Sequence, residues 1–129
     1  MLINYLLVAL GGSLGAITRF VANNIVTVQT PDKPYLSTLM VNVVGSLLLG
    51  FFYYASSFID FKSNLRDFFI IVYLGSLTTF STFSFEFAKM IIDKDFSRAF
   101  GYLSFNILLG FLSVYLFLKQ HDDAKQLYN

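Results

Sequence analysis

Residues 34–59 read PYLSTLMVNVVGSLLLGFFYYASSFI and contain no charged side chain. A helix needs about 20 predominantly apolar residues to cross the hydrocarbon core of a bilayer, so this stretch predicts a transmembrane helix. It also indicates the class of the whole chain, because a small soluble domain has too much surface for its volume to hide such stretches from water. A bilayer removes that requirement.

The composition of the chain agrees with this class. Of its 129 residues, 56% are hydrophobic and 13% are charged, whereas charged residues make up about 25% of a typical soluble domain. The net charge of +1 gives no indication of a nucleic acid partner. The chain has no cysteine, which excludes thiolate catalysis and cysteine-ligated zinc, and no nucleophile–base pair indicates an enzyme. The single histidine, His121, falls in a polar tail and is interpreted as solvated.

Three further apolar stretches lie on either side of the first, separated by short polar turns. We predict one domain over residues 1–129, with transmembrane helices at about 2–28, 34–59, 67–92 and 97–119. The first stretch lacks the basic leading region and the small-residue cleavage site of a signal peptide, so it is interpreted as a retained helix. The expected fold is an all-α membrane protein of four spans, with both termini on the same side.

Basic residues are divided almost evenly between the two sides of this topology. The positive-inside rule orients a membrane protein by an excess of Lys and Arg on the cytoplasmic side. Two outcomes follow: insertion in both orientations, which would give antiparallel dimers, or a weak local bias that selects one orientation. The residues counted are Lys62, Arg66, Lys119 and Lys125 on one side, and Lys33, Lys89, Lys94 and Arg98 on the other.

The third predicted span carries an unusual polar run, GSLTTFSTFSFE, at residues 75–86. Polar groups at mid-membrane depth are costly without partners, and Gly75 with the β-branched Thr78 and Thr79 weakens a helix locally. The run therefore predicts a helix that is broken at mid-membrane, with freed backbone groups facing protein or a water-lined cavity. The alternative is that the hydroxyls hydrogen-bond back to their own helix and bend it.

Two phenylalanines and several neutral donors suit the path of a small anion. Phe80 and Phe83 share a helix face, and the positive edges of their rings would attract a desolvated anion. Amide and hydroxyl donors, such as those of Asn42, Tyr102 and Asn106, would replace lost water without the tight binding of a full charge. Lipid contact for the rings, and hydrogen bonds between helices for the donors, are the alternatives.

Two ionisable residues fall inside or at the edge of the predicted spans, where such residues are functional hypotheses by default. Arg19 either supplies positive potential at a vestibule or extends its side chain to the membrane surface. Glu86 either pairs with a cation or with backbone amides, or it faces the headgroups beside Lys89.

Three successive spans carry motifs that resemble those of one family, the Fluc (CrcB) fluoride channels. Residues 11–20 resemble its GGxxGAxxRY stretch, with Phe20 in place of the usual tyrosine. Residues 38–46 resemble its TLxVNxxGS stretch, preceded by Ser37 where glycine is common. The polar run at 75–86 resembles the most specific motif of the family. The resemblance extends over nearly the whole chain.

The resemblance implies an antiparallel, dual-topology homodimer in the cell membrane, with two pathways through which accumulated fluoride leaks passively out of the cell. It also implies a sodium ion at the dimer centre, held by the backbone carbonyls of Gly75 and Thr78. Pairing with an unlike subunit, as in some related organisms, stays open. The implied pathway residues are Asn42, Phe80, Ser81, Thr82, Phe83, Tyr102 and Asn106.

Two other classes of function are alternatives to the channel. A small multidrug transporter also has four helices, but its proton coupling needs a carboxylate in the first span, and residues 1–28 contain no Asp or Glu. A structural membrane subunit would use the hydroxyl run only to join helices. Ion flux in liposomes distinguishes the three.

Overall fold

The computed structural model describes residues 2–56, 58 and 68–127. Every regular element of this part is helical, which confirms the all-α class. The predicted turn with Lys62 and Arg66 lies outside the described residues, as do the predicted span ends at 59 and 67 and the side chain of Lys125.

The first two helices follow from apolar stretches that lie on either side of two prolines. Helix α1 covers Leu2–Gln29 and α2 covers Tyr35–Ala55. Between them, the N–H of Lys33 donates to the carbonyl of Thr30 at 3.0 Å and closes a turn. Proline cannot donate a backbone hydrogen bond and restricts the residue before it, so the two prolines of this turn separate the helices.

The next part of the chain is divided rather than continuous. A π-helical segment, Phe68–Tyr73, leads into the short helix α3, Leu74–Leu77, and helix α4 then covers Phe80–Ile92. The two residues between α3 and α4 have extended backbones, with φ/ψ of −77°/158° at Thr78 and −149°/114° at Thr79. The predicted four-span count stays a prediction, because it depends on how these pieces together cross a membrane.

Helix α5 covers Phe96–Leu127 and begins with a capped turn. The carboxylate of Asp95 accepts a hydrogen bond from the backbone N–H of Arg98 at 3.2 Å, the usual role of an aspartate before a helix. At its other end, α5 continues through the tail, and the interpretation of His121 as solvated is wrong. Its side chain is 6% exposed and meets the ring of Tyr53 edge to face.

The helices pack in two groups that meet at the divided segment. α2 lies against α5 over most of its length, and α1 lies against the π-helical segment and α3. Gly15 permits the second contact, because a β-carbon there would clash with the carbonyl oxygen of Tyr73. A buried cluster ties α4 to α5; its members are Phe83, Met90, Ala99 and Tyr102.

The outer surface is apolar over long distances. Among the described residues, three helices are long and apolar enough to cross a membrane: Leu2–Gln29, Tyr35–Ala55 and Phe96–Ala124. Large apolar side chains such as Leu6, Phe20 and Phe111 are more than half exposed. Exposed apolar area of this extent marks a lipid or protein contact rather than a water-facing surface. The chain is therefore an integral membrane protein.

Candidate functional site

A cleft of about 480 Å³ lies beside the extended backbone between α3 and α4. It brings together residues from α2, α3, α4 and α5. Six of the sequence-predicted site residues line it: Asn42, Gly75, Thr78, Phe80, Phe83 and Asn106. Four others do not line the cleft but contact residues that do: Arg19, Ser81, Thr82 and Tyr102. The roles of all ten stay predictions, but most of them share one location.

Asn42 holds the extended backbone in place from α2. Its Oδ1 accepts a hydrogen bond from the N–H of Thr79 at 2.8 Å, and its Nδ2 donates to the carbonyl of the same residue at 3.2 Å. Buried backbone groups need partners, and this one side chain supplies both that Thr79 loses by leaving the helix. Nδ2 also donates to Oδ1 of Asn106 on α5 at 3.0 Å.

The carbonyl of the Thr78–Thr79 peptide bond is held from α1. Arg19 Nη1 donates to the carbonyl oxygen of Thr78 at 3.2 Å. The guanidinium therefore lies against the interrupted backbone. A side chain from α1 and one from α2 thus reach the same two residues, which explains why the extended conformation is tolerated between two apolar helices.

The hydroxyl run divides into two groups. Thr79 Oγ1 accepts from the backbone N–H of Thr82 at 3.2 Å, so Thr79 is the N-cap of α4, and it also donates to Thr82 Oγ1 at 3.0 Å. Ser81 Oγ lies 3.4 Å from the same oxygen. By contrast, Thr78 and Ser84 donate to carbonyls four residues earlier, as the alternative interpretation of the run expected.

Phe80 and Phe83 both line the cleft, but they differ in burial. Their ring centroids are 5.7 Å apart. Phe83 is 6% exposed and packs against Tyr102 with centroids 5.3 Å apart, whereas Phe80 is 79% exposed. The shared face predicted from their spacing therefore joins a core residue to a residue on the outside of the chain.

Glu86 belongs to a second polar cluster, one helical turn beyond Phe83. It accepts hydrogen bonds from the hydroxyl of Tyr102 at 2.5 Å and from that of Thr38 at 3.1 Å. Among the described residues its partners are these two hydroxyls, whereas the sequence interpretation named a cation, backbone amides or the headgroups. Thr38 and Tyr102 are both buried, and the ring of Tyr102 meets that of Tyr35 edge to face.

Sequence reasoning left Thr38 and Thr79 out of the site. Thr38 lies four residues before Asn42 on α2, and this spacing places both on one helix face. That signal could have identified Thr38. Thr79 was named only as a residue that weakens the helix, although a threonine immediately before an apolar residue, here Phe80, is a helix-start signal.

Fold and cleft together define a class: a helical integral membrane protein with an uncharged cleft beside a short stretch of extended backbone. The chain matches the family model described as CrcB-like protein, Camphor Resistance (CrcB), over residues 6–118. The match covers most of the chain. The chain therefore belongs to the CrcB-like family, and the family resemblance of its three motifs is confirmed.

Curated relatives cover most of the chain. One from Campylobacter fetus subsp. fetus is 38% identical over 84% of this chain and 85% of its own length. One from Hydrogenobaculum sp. is 38% identical over 88% of this chain and 93% of its own. One from Methanococcus vannielii is 43% identical over 74% and 76%. Each is named a fluoride-specific ion channel FluC. No solved structure matches the chain significantly.

Proposed function

We propose that this chain is a fluoride-selective ion channel, which conducts fluoride passively out of the cell across the plasma membrane. Family membership and the relatives' names support the ion and the class, and they separate this chain from enzymes. The observation that carries the proposal is the cleft: the described residues that line it are apolar, aromatic or neutral donors, with no charged side chain.

The cleft has the chemistry that a small, strongly hydrated anion requires. Stripping water from an ion is costly unless other groups replace the water. Neutral amide and hydroxyl donors replace it without binding the ion too tightly to release it, and the positive edges of Phe80 and Phe83 add attraction. The second cluster is formed by Thr38, Glu86 and Tyr102, from α2, α4 and α5. It continues the series of polar side chains beyond the cleft.

We assign the divided segment to the third span. Residues 68–92 contain enough chain to cross a bilayer, with Thr78 and Thr79 as the interruption near its middle. With α1, α2 and α5 this makes four spans in one domain over residues 1–129. The freed backbone groups at the interruption have partners within the protein, which is the condition for irregular backbone inside a membrane.

The functional unit is an antiparallel dimer in this proposal. Phe80 is 79% exposed and borders a cleft that opens on the outside of a single chain, so a second chain would complete its surroundings. The nearly even distribution of Lys and Arg supports insertion in both orientations. Two copies of this chain form the simplest such dimer, and pairing with an unlike subunit is the alternative outcome.

Backbone carbonyls at the interruption suit the sodium ion that the resemblance implied. Because the N–H of Thr79 is bonded to Asn42, the carbonyl of Gly75 lacks the partner that a continuous helix would give it. Gly75 is exposed, and a β-carbon there would meet nothing within 4 Å. The carbonyl oxygen of Thr78 accepts a hydrogen bond from Arg19 and has a second lone pair for an ion. Carbonyls of unwound helices are typical sodium ligands, and a bound sodium would supply positive charge at the dimer centre.

A flux measurement tests the proposal. Purified protein in liposomes loaded with fluoride should release it passively, without a proton gradient, while chloride release stays near that of protein-free liposomes. Proton-coupled movement of organic cations would support a multidrug transporter instead. Absence of any flux from correctly folded protein would contradict the channel and favour a structural subunit.

A further inference from the structure

The orientation of the Asn42 amide is determined by its partners. The N–H of Thr79 can donate only to an acceptor, so the atom 2.8 Å from it is the carbonyl oxygen of the amide. The amide nitrogen then faces the carbonyl of Thr79 and Oδ1 of Asn106. An amide nitrogen has two hydrogens, and both are committed to these two acceptors. Asn42 therefore has no donor left for an ion in the cleft.

Asn106 is oriented in turn by Asn42. Because Asn106 accepts from Asn42 through Oδ1, its nitrogen lies on the other side and donates to the carbonyl of Tyr102 at 3.0 Å. This leaves one N–H for the cleft or for the neighbouring hydroxyl of Tyr102. A series of hydrogen bonds therefore connects α5, through Asn106 and Asn42, to the backbone of Thr79.

We propose that Asn42 and Asn106 act together as positioning residues: Asn106 fixes the Asn42 amide, and Asn42 fixes the extended Thr79 peptide beside which the ion passes. This assignment rests on the proposed channel function, and it changes the part played by Asn42. Asn42 shapes the site through Thr79 rather than by donating to the ion. It also ties the interruption to α5, so that a change on α5 alters the backbone between α3 and α4.

Amide hydrogen exchange at Thr79 in the reconstituted protein tests the assignment independently of flux. Asn42→Leu removes both hydrogen bonds to the Thr79 backbone, and it should accelerate exchange at Thr79 on the order of a hundredfold. Asn106→Leu removes only the bond that orients Asn42 and should accelerate exchange about tenfold. Both variants should also lower the ratio of fluoride to chloride flux, because the backbone beside the cleft is no longer held.

Two further variants separate positioning from a general loss of structure. Asn106→Asp keeps an acceptor oxygen for Asn42 but loses the donor to the Tyr102 carbonyl. Exchange at Thr79 should therefore be accelerated less than in Asn106→Leu, even though the new charge reduces flux. Ser113→Ala, on the same helix, removes a hydroxyl that bonds only to its own helix and should change neither exchange nor selectivity.

Parental exchange in Asn106→Leu would overturn the assignment, and so would equal acceleration in Asn106→Asp and Asn106→Leu. A chemical shift change on adding fluoride at the Asn42 side-chain N–H groups, with none at those of Asn106, would also overturn it. If the parent protein carries no fluoride, the proposed function fails while the Thr79 exchange rates still report on the asparagine pair.

Discussion

The interrupted backbone at Thr79 and the long helix α5 both carry polar side chains in an apolar setting, yet only the first leaves the helical conformation. The difference lies in where the polar groups are bonded. In α5, Asn106 Nδ2 and Ser113 Oγ donate to carbonyls four residues earlier in the same helix. At Thr79, the backbone N–H and carbonyl bind Asn42, on a different helix.

This comparison shows that polar content alone does not interrupt a membrane helix. Ser84 lies in the same hydroxyl run as Thr79, and its hydroxyl bonds locally in the same way as that of Ser113. A hydroxyl that bonds to its own helix bends the helix slightly and leaves it intact. An extended backbone needs donors and acceptors from elsewhere, because unpaired backbone groups in an apolar environment are costly.

The largest effect is expected where α1 touches the divided segment. Gly15→Ala places a β-carbon against the Tyr73 carbonyl, a backbone atom that cannot rotate away, and 2.8 Å from Cβ of Ser76. We expect a loss of about 3 kcal/mol of stability, the upper end for overpacking, measured by unfolding in detergent. Gly12→Ala is the matched control, since its β-carbon would lie 3.6 Å from Ser76 Oγ. Equal losses in both variants would contradict this packing.

A somewhat smaller effect is expected at Gly45, which faces the interruption from α2. A β-carbon there would clash with the γ-methyl group of Thr78. This side chain can rotate, so Gly45→Ala should cost about 2 kcal/mol and should reduce fluoride flux by displacing Thr78. The control on α5 is Gly110→Ala, whose β-carbon would make an ordinary contact 3.5 Å from Ser46 Oγ. Parental fluoride flux in Gly45→Ala would show that the position of Thr78 does not affect conduction.

Substitutions of the two phenylalanines of the cleft should differ in their effect on stability but not in their effect on flux. Phe83→Ile alters a buried, well-packed ring and should cost about 1.5 kcal/mol, whereas Phe80→Ile should hardly change the stability of the chain. Both should reduce fluoride flux while dimers still form, as chromatography would check. Phe105→Ile, at an exposed ring on α5 outside the cleft, is the control for both. Parental flux in both cleft variants would disprove the role of the ring edges.

The smallest effect concerns the cap of α4. Thr79→Val keeps the shape of the side chain but removes the oxygen that accepts from the N–H of Thr82. Loss of an N-cap should cost about 1 kcal/mol. Ser113→Ala removes a hydroxyl of α5 that bonds within its helix. The loss of stability should be only a small fraction of the loss in Thr79→Val. If thermal unfolding shows equal losses, the two regions do not differ in the way described.

Part of the site was accessible to sequence reasoning, through the chemistry of neutral donors and aromatic rings and through the family resemblance. Asn42, Phe80, Phe83 and Asn106 were predicted to share a site, and they line one cleft. The partners of Glu86 were not predicted: a lone carboxylate suggests a cation, but the described residues give it two hydroxyls. Their positions on α2 and α5 depend on helix packing, which local spacing does not contain.

The amino-acid sequence by itself determined the class of this protein: long apolar stretches form helices that satisfy their own backbone groups, and family motifs run along them. Only the tertiary structure decided which partners hold the extended backbone, which Phe is buried and which donors are already occupied. The physical reason is distance along the chain. A helix is stabilised by bonds between residues four apart, whereas the extended Thr79 depends on Asn42, 37 residues away, and that contact exists only once the helices have packed.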